Sequence, residues 1–270
     1  MIKRIFIVIN FIIILYLIIQ PAKKAPQVNL PKVTIAETNI IPDIKFPDLA
    51  IRVNSKNKAV QSFSCNKVNI RIWEAGKSLK VSGSIYYEKP KKFRMTVKTI
   101  LGKELDLGSN NEIFWYWSKR DENPGLYWAK YEDFNKSRLK TPFNPIFLRS
   151  SLGLEEISDK NVKISYTTGK TIFSYADKNS MGEDIVYSIV VNDNEENITG
   201  YTVTNKNGKL VAACEIVKYE KGYPVELIYN WHEENCNMHM TLNNSEINSS
   251  IKSDMWQIPN KQPKINMAED

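Results

Sequence analysis

Residues that carry chemistry are few in this chain. It has two histidines, His232 and His239, and three cysteines, Cys65, Cys214 and Cys236. His232, Cys236 and His239 spell His-x3-Cys-x2-His, which matches no strong zinc spacing, so no metal site is read from it. No Gly-x-Ser-x-Gly, phosphate loop or dinucleotide fingerprint occurs, and no cofactor is implied. An odd cysteine count cannot pair completely within the chain, and no Cys-x-x-Cys spacing is present. Three buried thiols are expected, with one bridge of unspecified pairing as the alternative in an oxidising compartment. Glycine is scarce, at 11 of 270 residues, while the apolar fraction of 42% is ordinary, which argues against disorder over most of the chain. The 37 basic residues are dispersed, not gathered into a stripe or a recognisable module, so nucleic acid is not a partner. A net charge of +7 then describes a lysine-rich soluble surface, with attraction to anionic lipid as the alternative.

Apolar residues are concentrated at the start. Met1-Ile2-Lys3-Arg4 is a short basic head, and residues 5–19 are apolar except for Asn10. That run is long for a signal core and short for a membrane span. No Ala-x-Ala site follows, and no cysteine follows that could be lipidated. Residues 1–20 therefore read equally as a cleaved signal peptide or a retained anchor. Either predicts export of the rest to the periplasm, tethered to the inner membrane if the run is kept. Residues 21–48 carry Pro21, Pro26, Pro31, Pro42 and Pro47 among lysines, which predicts an extended linker.

Residues 49–263 read as one mainly β domain, with 264–270 as a polar tail. Residues 49–63 are compatible with a helix, with Leu49, Val53, Val60 and Phe63 near one face. Strand signals then dominate. Leu79, Val81, Ile85 and Tyr87 alternate with polar residues, as do Phe93, Met95 and Val97. This pattern gives each strand one wet and one dry face. Gly83 falls on the dry face, where a missing side chain lets a sheet bend. Thr168-Gly169 and Asn207-Gly208 mark tight hairpins. The succession predicts an incomplete antiparallel barrel of about eleven strands. One helix interrupts it: Asn144 caps, Pro145 takes the first helical position and Gly153 stops. Phe143, Phe147, Leu148 and Leu152 form its apolar face and would pack into the concave side as a lid.

The dry residues named above, with Trp115, Trp117 and Trp128, are the candidate lining of an apolar cavity. Glu104 and Asp106 share a strand face and form the only candidate acid/base pair. Carboxylates on an exposed strand face are far commoner than catalytic pairs, so an enzyme is not expected. An exported hydrolase would rest on those two residues alone. Glu155-Glu156 reads as surface neutralisation.

Several landmarks in order are similar to the LolA/LolB superfamily of bacterial lipoprotein carriers. They are Gly83, then Lys89-Pro90, then the Phe93 strand, then Asn110-Asn111 leading into Phe114-Trp115-Tyr116-Trp117. Met255-Trp256-Gln257-Ile258-Pro259 closes the series. The resemblance covers residues 48–263. It implies a half-barrel whose hollow takes lipoprotein acyl chains or other lipids across the periplasm, with no cofactor, acting as a monomer. It also implies an inner-membrane lipoprotein-releasing transporter and an outer-membrane acceptor as partners. The alternative within the same fold is a membrane-tethered lipid or lipoprotein sensor or envelope scaffold. In the family an arginine before the proline latches the lid. Here that position is Lys89, which keeps the charge but lacks the planar fork.

Overall fold

The computed structural model describes residues 24–31, 47–119, 121, 123–139 and 144–269. The apolar run at 5–19 and the lid residue Phe143 lie outside the described residues. Among the described residues no helix is long and apolar enough to cross a membrane.

Helix α1 (Asp48–Lys58) opens the domain. Six strands follow: β1 (Ser62–Glu74), β2 (Lys77–Glu88), β3 (Lys92–Thr99), β4 (Gly102–Ser109), β5 (Ile113–Ser118) and β6 (Leu126–Lys130). A connection then carries a 3-10 turn (Tyr131–Lys136) and the short helix α2 (Pro145–Ser150). Seven more strands follow: β7 (Val162–Thr167), β8 (Lys170–Lys178), β9 (Asp184–Asn192), β10 (Asn197–Asn205), β11 (Leu210–Glu220), β12 (Tyr223–Trp231) and β13 (Cys236–Ile247). A second 3-10 turn (Ser253–Trp256) and β14 (Lys264–Asn266) complete the order.

The fourteen strands form one sheet, ordered β14-β6-β5-β4-β3-β2-β1-β13-β12-β11-β10-β9-β8-β7. Each run is an antiparallel meander, and β1 joins them by pairing with β2 on one side and β13 on the other. β14 alone runs parallel to its neighbour, β6. The sheet is therefore open, an incomplete barrel with its helices between the two ends, as the alternation predicts. Among the described residues the strands number fourteen, against an expected eleven or so. One of the extra strands, β14, has only three residues and no readable period, and it lies in the segment expected to be a polar tail.

Helix α1 stops at Lys58, short of the expected residue 63. Phe63 is already in β1, where it pairs with Tyr87 and Ile247. Cross-strand partners share a face, so registers define both sides of the sheet. One row on the inner side runs Cys65, Ile85, Met95, Leu107, Tyr116 across β1 to β5. Its counterpart runs Phe173, Ile189, Tyr201, Cys214, Tyr229, Met238 across β8 to β13. All eleven are buried in one apolar cluster with Leu148 and Leu152, which makes the inner side the core.

Gly83 faces this side, opposite Val68 and Val97. A Cβ there would collide with the Thr96 carbonyl and touch the Ile70 side chain. Backbone cannot yield as a side chain tip does, so Gly83→Ala is expected to cost about 1–3 kcal/mol through overpacking. A lowered urea midpoint with an unchanged far-UV spectrum is the expected reading.

Candidate functional site

The inner wall is built by period-2 alternation. Val81, Ile85, Tyr87, Phe93, Met95 and Val97 are buried on it, and Leu79 is half-buried beside them. The second arm supplies as much wall as the first, through Phe173, Ile189, Tyr201, Leu227, Tyr229 and Trp231. These residues were not singled out from the sequence. The alternation of Met238, Met240 and Leu242 with Asn237, His239 and Thr241 was the signal available for that arm.

Trp115, Trp117 and Trp128 stand on the other face. Trp115 pairs with Trp128 and Gly108, while their neighbours Phe114, Tyr116 and Ala129 belong to the inner cluster. Trp115 lies over Gly108, where no Cβ would fit, and Arg94 sits 6.0 Å from its ring. Arg94 also donates to the Met255 carbonyl at 2.9 Å, and Lys261 lies 4.6 Å from the Trp117 ring. The C-terminal segment thus covers the outside of β3 to β6, which is why both faces of β5 are apolar. Asp106 is buried there under Arg94 (2.8 and 3.0 Å) and Lys103 (2.6 Å), and Glu104 accepts from the Thr99 hydroxyl at 2.9 Å. Both carboxylates serve as ionic and hydrogen-bonding anchors of the outer face. Cys236 points inward and His239 outward to Glu226 (2.8 Å), so the His-Cys-His pattern does not converge. The three thiols are free and buried. Burial, with Glu74 and Glu234 nearby, pushes Cys236 up to about 12, and burial raises Cys214 as well. Neither is a poised nucleophile.

The lid is α2. Asn144 accepts from the amides of Ile146 (2.9 Å) and Phe147 (3.4 Å), and Pro145 fits the first turn. Gly153, at φ +71°, ends the turn that follows, where a Cβ would strike Ile216 and the Tyr219 hydroxyl. Phe147, Leu148 and Leu152 are buried in the hollow. Phe147 meets Tyr229 edge-on at 6.3 Å, and the Ser151 and Tyr229 hydroxyls share a hydrogen bond of 2.8 Å. On the opposite arm α2 touches β3, β4 and β5. The short helix therefore bridges the two arms.

Polar contacts hold its rim, and they converge on the turn between β2 and β3. Lys89 Nζ donates to the Asn57 carbonyl at the end of α1 (2.9 Å) and lies 3.3 Å from Glu156. Asn57 in turn donates to the carbonyls of Gly153 (3.1 Å) and Glu155 (2.7 Å). Arg149, on α2 itself, reaches back to the same turn. Its guanidinium donates to Glu155 (2.6 Å), the Tyr131 hydroxyl (2.8 Å) and the Lys91 carbonyl (3.4 Å). Burial opposes the Arg149 charge, but Glu155 and Tyr131 outweigh it and hold the group protonated. Glu155 and Glu156, expected only to neutralise a surface, are the carboxylate partners of Arg149 and Lys89. Burial and the nearby Glu155 raise the Tyr87 phenol, so it stays neutral. The Tyr87 and Tyr201 hydroxyls are buried without a hydrogen-bond partner among the described residues.

A cleft of about 320 Å³ lies elsewhere, lined by Asn135, Lys136, Arg138, Ser180, Met181 and Ala268. Its lining is mostly polar and includes none of the inner-wall residues.

No protein-family model and no curated protein matches the sequence. Solved structures do match the fold. A domain named for outer membrane lipoprotein sorting, from Vibrio parahaemolyticus, superposes with a TM-score of 0.53 at 9% identity, covering 77% of this chain and 94% of that one. A LolA superfamily protein from Nitrosomonas europaea gives 0.51 at 8% identity, over 77% and 97%. The chain thus has a LolA-like fold.

Proposed function

We propose that this domain binds acyl chains of lipids or lipoproteins on its inner wall and carries them through the periplasm, with α2 and cargo exchanging places. One observation carries the reading: an unbroken apolar wall runs across both arms and is covered by α1 and by the short helix α2, which polar contacts hold at the rim. In the closed arrangement α2 fills the hollow with its own side chains. Phe147, Leu148 and Leu152, at about 1.5–3 kcal/mol each, give up roughly 5–9 kcal/mol of burial when displaced. A chain of about fifteen methylenes at about 0.8 kcal/mol each gains roughly 12 kcal/mol. Cargo therefore outcompetes the lid by a margin small enough for release to remain possible. The free hydroxyls of Tyr87 and Tyr201 would receive an ester or amide carbonyl, which favours an acyl chain over bare hydrocarbon. A releasing transporter in the inner membrane and an acceptor in the outer membrane are the partners such a carrier requires. The second reading, a membrane-tethered sensor or scaffold, is favoured by the docking of residues 26–30 onto the domain.

The hairpin tip between β3 and β4 suits contact with a bilayer. Ile100 is 88% exposed and Leu101 49% exposed, with Lys98 and Lys119 exposed beside them. Apolar side chains ringed by cations favour an anionic lipid surface.

Mass spectrometry of lipids extracted from the purified domain is expected to find acyl cargo. A lipid-free sample that also fails to take up an acylated peptide overturns the reading. Ile85→Asp is expected to weaken uptake at least tenfold by placing an unpaired charge on the wall, while Ile85→Leu retains it. A folded Ile85→Asp protein that binds unchanged would show that the wall is not the site. Arg149→Gln removes the charged grip on Glu155 and the Lys91 carbonyl, so stopped-flow uptake of a fluorescent fatty acid should accelerate several-fold. Replacing both Ile100 and Leu101 with serine is expected to reduce co-sedimentation with anionic vesicles and leave cargo affinity unchanged.

A further inference from the structure

Residues 24–31, expected to be an extended linker, are instead attached to the outer face of the second arm. The Val28 amide donates to Asn230 Oδ1 at 2.7 Å, and Asn230 Nδ2 lies 3.4 Å from the Pro26 carbonyl. One side-chain amide thus reads a donor and an acceptor of the segment, as a neighbouring strand would. The Asn29 amide donates to Glu215 Oε2 at 2.7 Å. Leu30 lies over Gly200, where a Cβ would stand 2.5 Å from Leu30 Cδ1 and 2.6 Å from Cδ2. Gly200 pairs with Glu215, and Asn230 pairs with Ala213 two positions along β11, so the contacts form one patch over β10, β11 and β12. Asn230 is only 2% exposed and is oriented by the side chain of Asn237. Val190 and Ala213 are fully buried on the same face. A buried, pre-oriented amide, a carboxylate and a slot without a Cβ make a site built for an extended segment.

We propose that this patch is a docking site for the chain's own residues 26–30, and that it sets how far the domain reaches from a bilayer holding residues 5–19. Docked, about six Cα-to-Cα steps link Gln20 to Pro26, a span of at most about 20 Å. Released, about twenty-eight such steps link Gln20 to Asp48, or about 100 Å at full extension. The strap therefore shortens the reach about fivefold and turns the outer face of β10 to β12 toward the membrane. It goes beyond the lipid-binding reading and does not depend on it, since neither measurement below involves cargo.

The test uses the full chain in anionic vesicles. Amide exchange at Val28 and Asn29 is expected to be at least tenfold slower than in a free peptide of residues 24–31. Energy transfer from a dye on K206C, at the exposed turn after β10, to a bilayer dye is expected to be high. Leu30→Ser and Gly200→Val should each abolish the protection and lower the transfer. Leu30→Ser cannot disturb the sheet, which keeps the test decisive should Gly200→Val fail to fold. Free-peptide exchange rates in the unaltered chain, unchanged readings in Leu30→Ser, or a mature chain lacking residues 1–20 would each overturn the proposal.

Discussion

The antiparallel pairing of β1 with β13 governs the whole arrangement. Eleven residue pairs, from Phe63 with Ile247 to Glu74 with Cys236, join segments lying up to 184 residues apart. Each meander alone is a sheet with one long apolar face and no cover. Fused through β1, they become one surface whose inner rows continue from arm to arm. The fusion also puts β6 and β7, which are consecutive in the chain, near opposite ends of the sheet. The connection between them has to cross the open side. A lid over the inner wall is thus a topological consequence of that pairing, and the sequence of the connection only has to supply apolar residues facing inward. Non-local closure of this kind is slow to form, because the loop entropy is spent before the contacts that offset it.

Two kinds of interaction hold that lid, and they do different things. Burial of Phe147, Leu148 and Leu152 gives most of the affinity but little orientation, since the hydrophobic effect is non-directional. Orientation comes from the rim. Lys89 offers a single flexible ammonium to one carbonyl and one carboxylate. Arg149 offers a planar fork to three partners at once. The multiple grip that lysine cannot make from the β2–β3 turn is therefore made toward that turn, from the helix. The Lys89–Glu156 pair has a half-exposed carboxylate and adds little net stability, and the attraction in the largely buried Arg149–Glu155 pair is offset by the cost of desolvating both groups. The cargo proposed above would accordingly displace the helix without first overcoming a strong electrostatic lock.

Much of this was legible in the sequence, and the failures have identifiable causes. Where one face was wet, as in Phe93-Arg94-Met95-Thr96-Val97, alternation assigned the inward side chains directly. The helix start at Asn144-Pro145 and the glycine that ends its final turn were equally readable, because caps act locally. The tryptophans were not. Residues 113–117 are apolar at every position, so period gives no facing. The cause is a cover over the outer face by residues 253–266, far along the chain, and no local pattern reports a distant cover. Arg149 was missed for a related reason. An arginine in a short apolar helix reads as a solvated residue until Glu155, Tyr131 and the Lys91 carbonyl are seen around it. The linker was read from its prolines alone, which forbid a helix but do not forbid docking as an extended strap.

Both ends of the described chain pack on the outside of the sheet, and this separation has a consequence for mechanism. Residues 26–30 lie over β10 to β12, while residues 253–266 lie over β3 to β6 and extend the sheet at β14. Neither segment reaches over the inner wall. Among the described residues α1 and the β6–β7 connection cover it, tied to each other through Asn54, Asn57 and the loop after Gly153. Opening the hollow can therefore leave both termini in place, and a tether pulling on the N-terminus loads the outer face of the second arm before it loads the lid. The proposed cargo exchange and the proposed attachment to a surface would thus be mechanically independent, because they load different faces of the sheet.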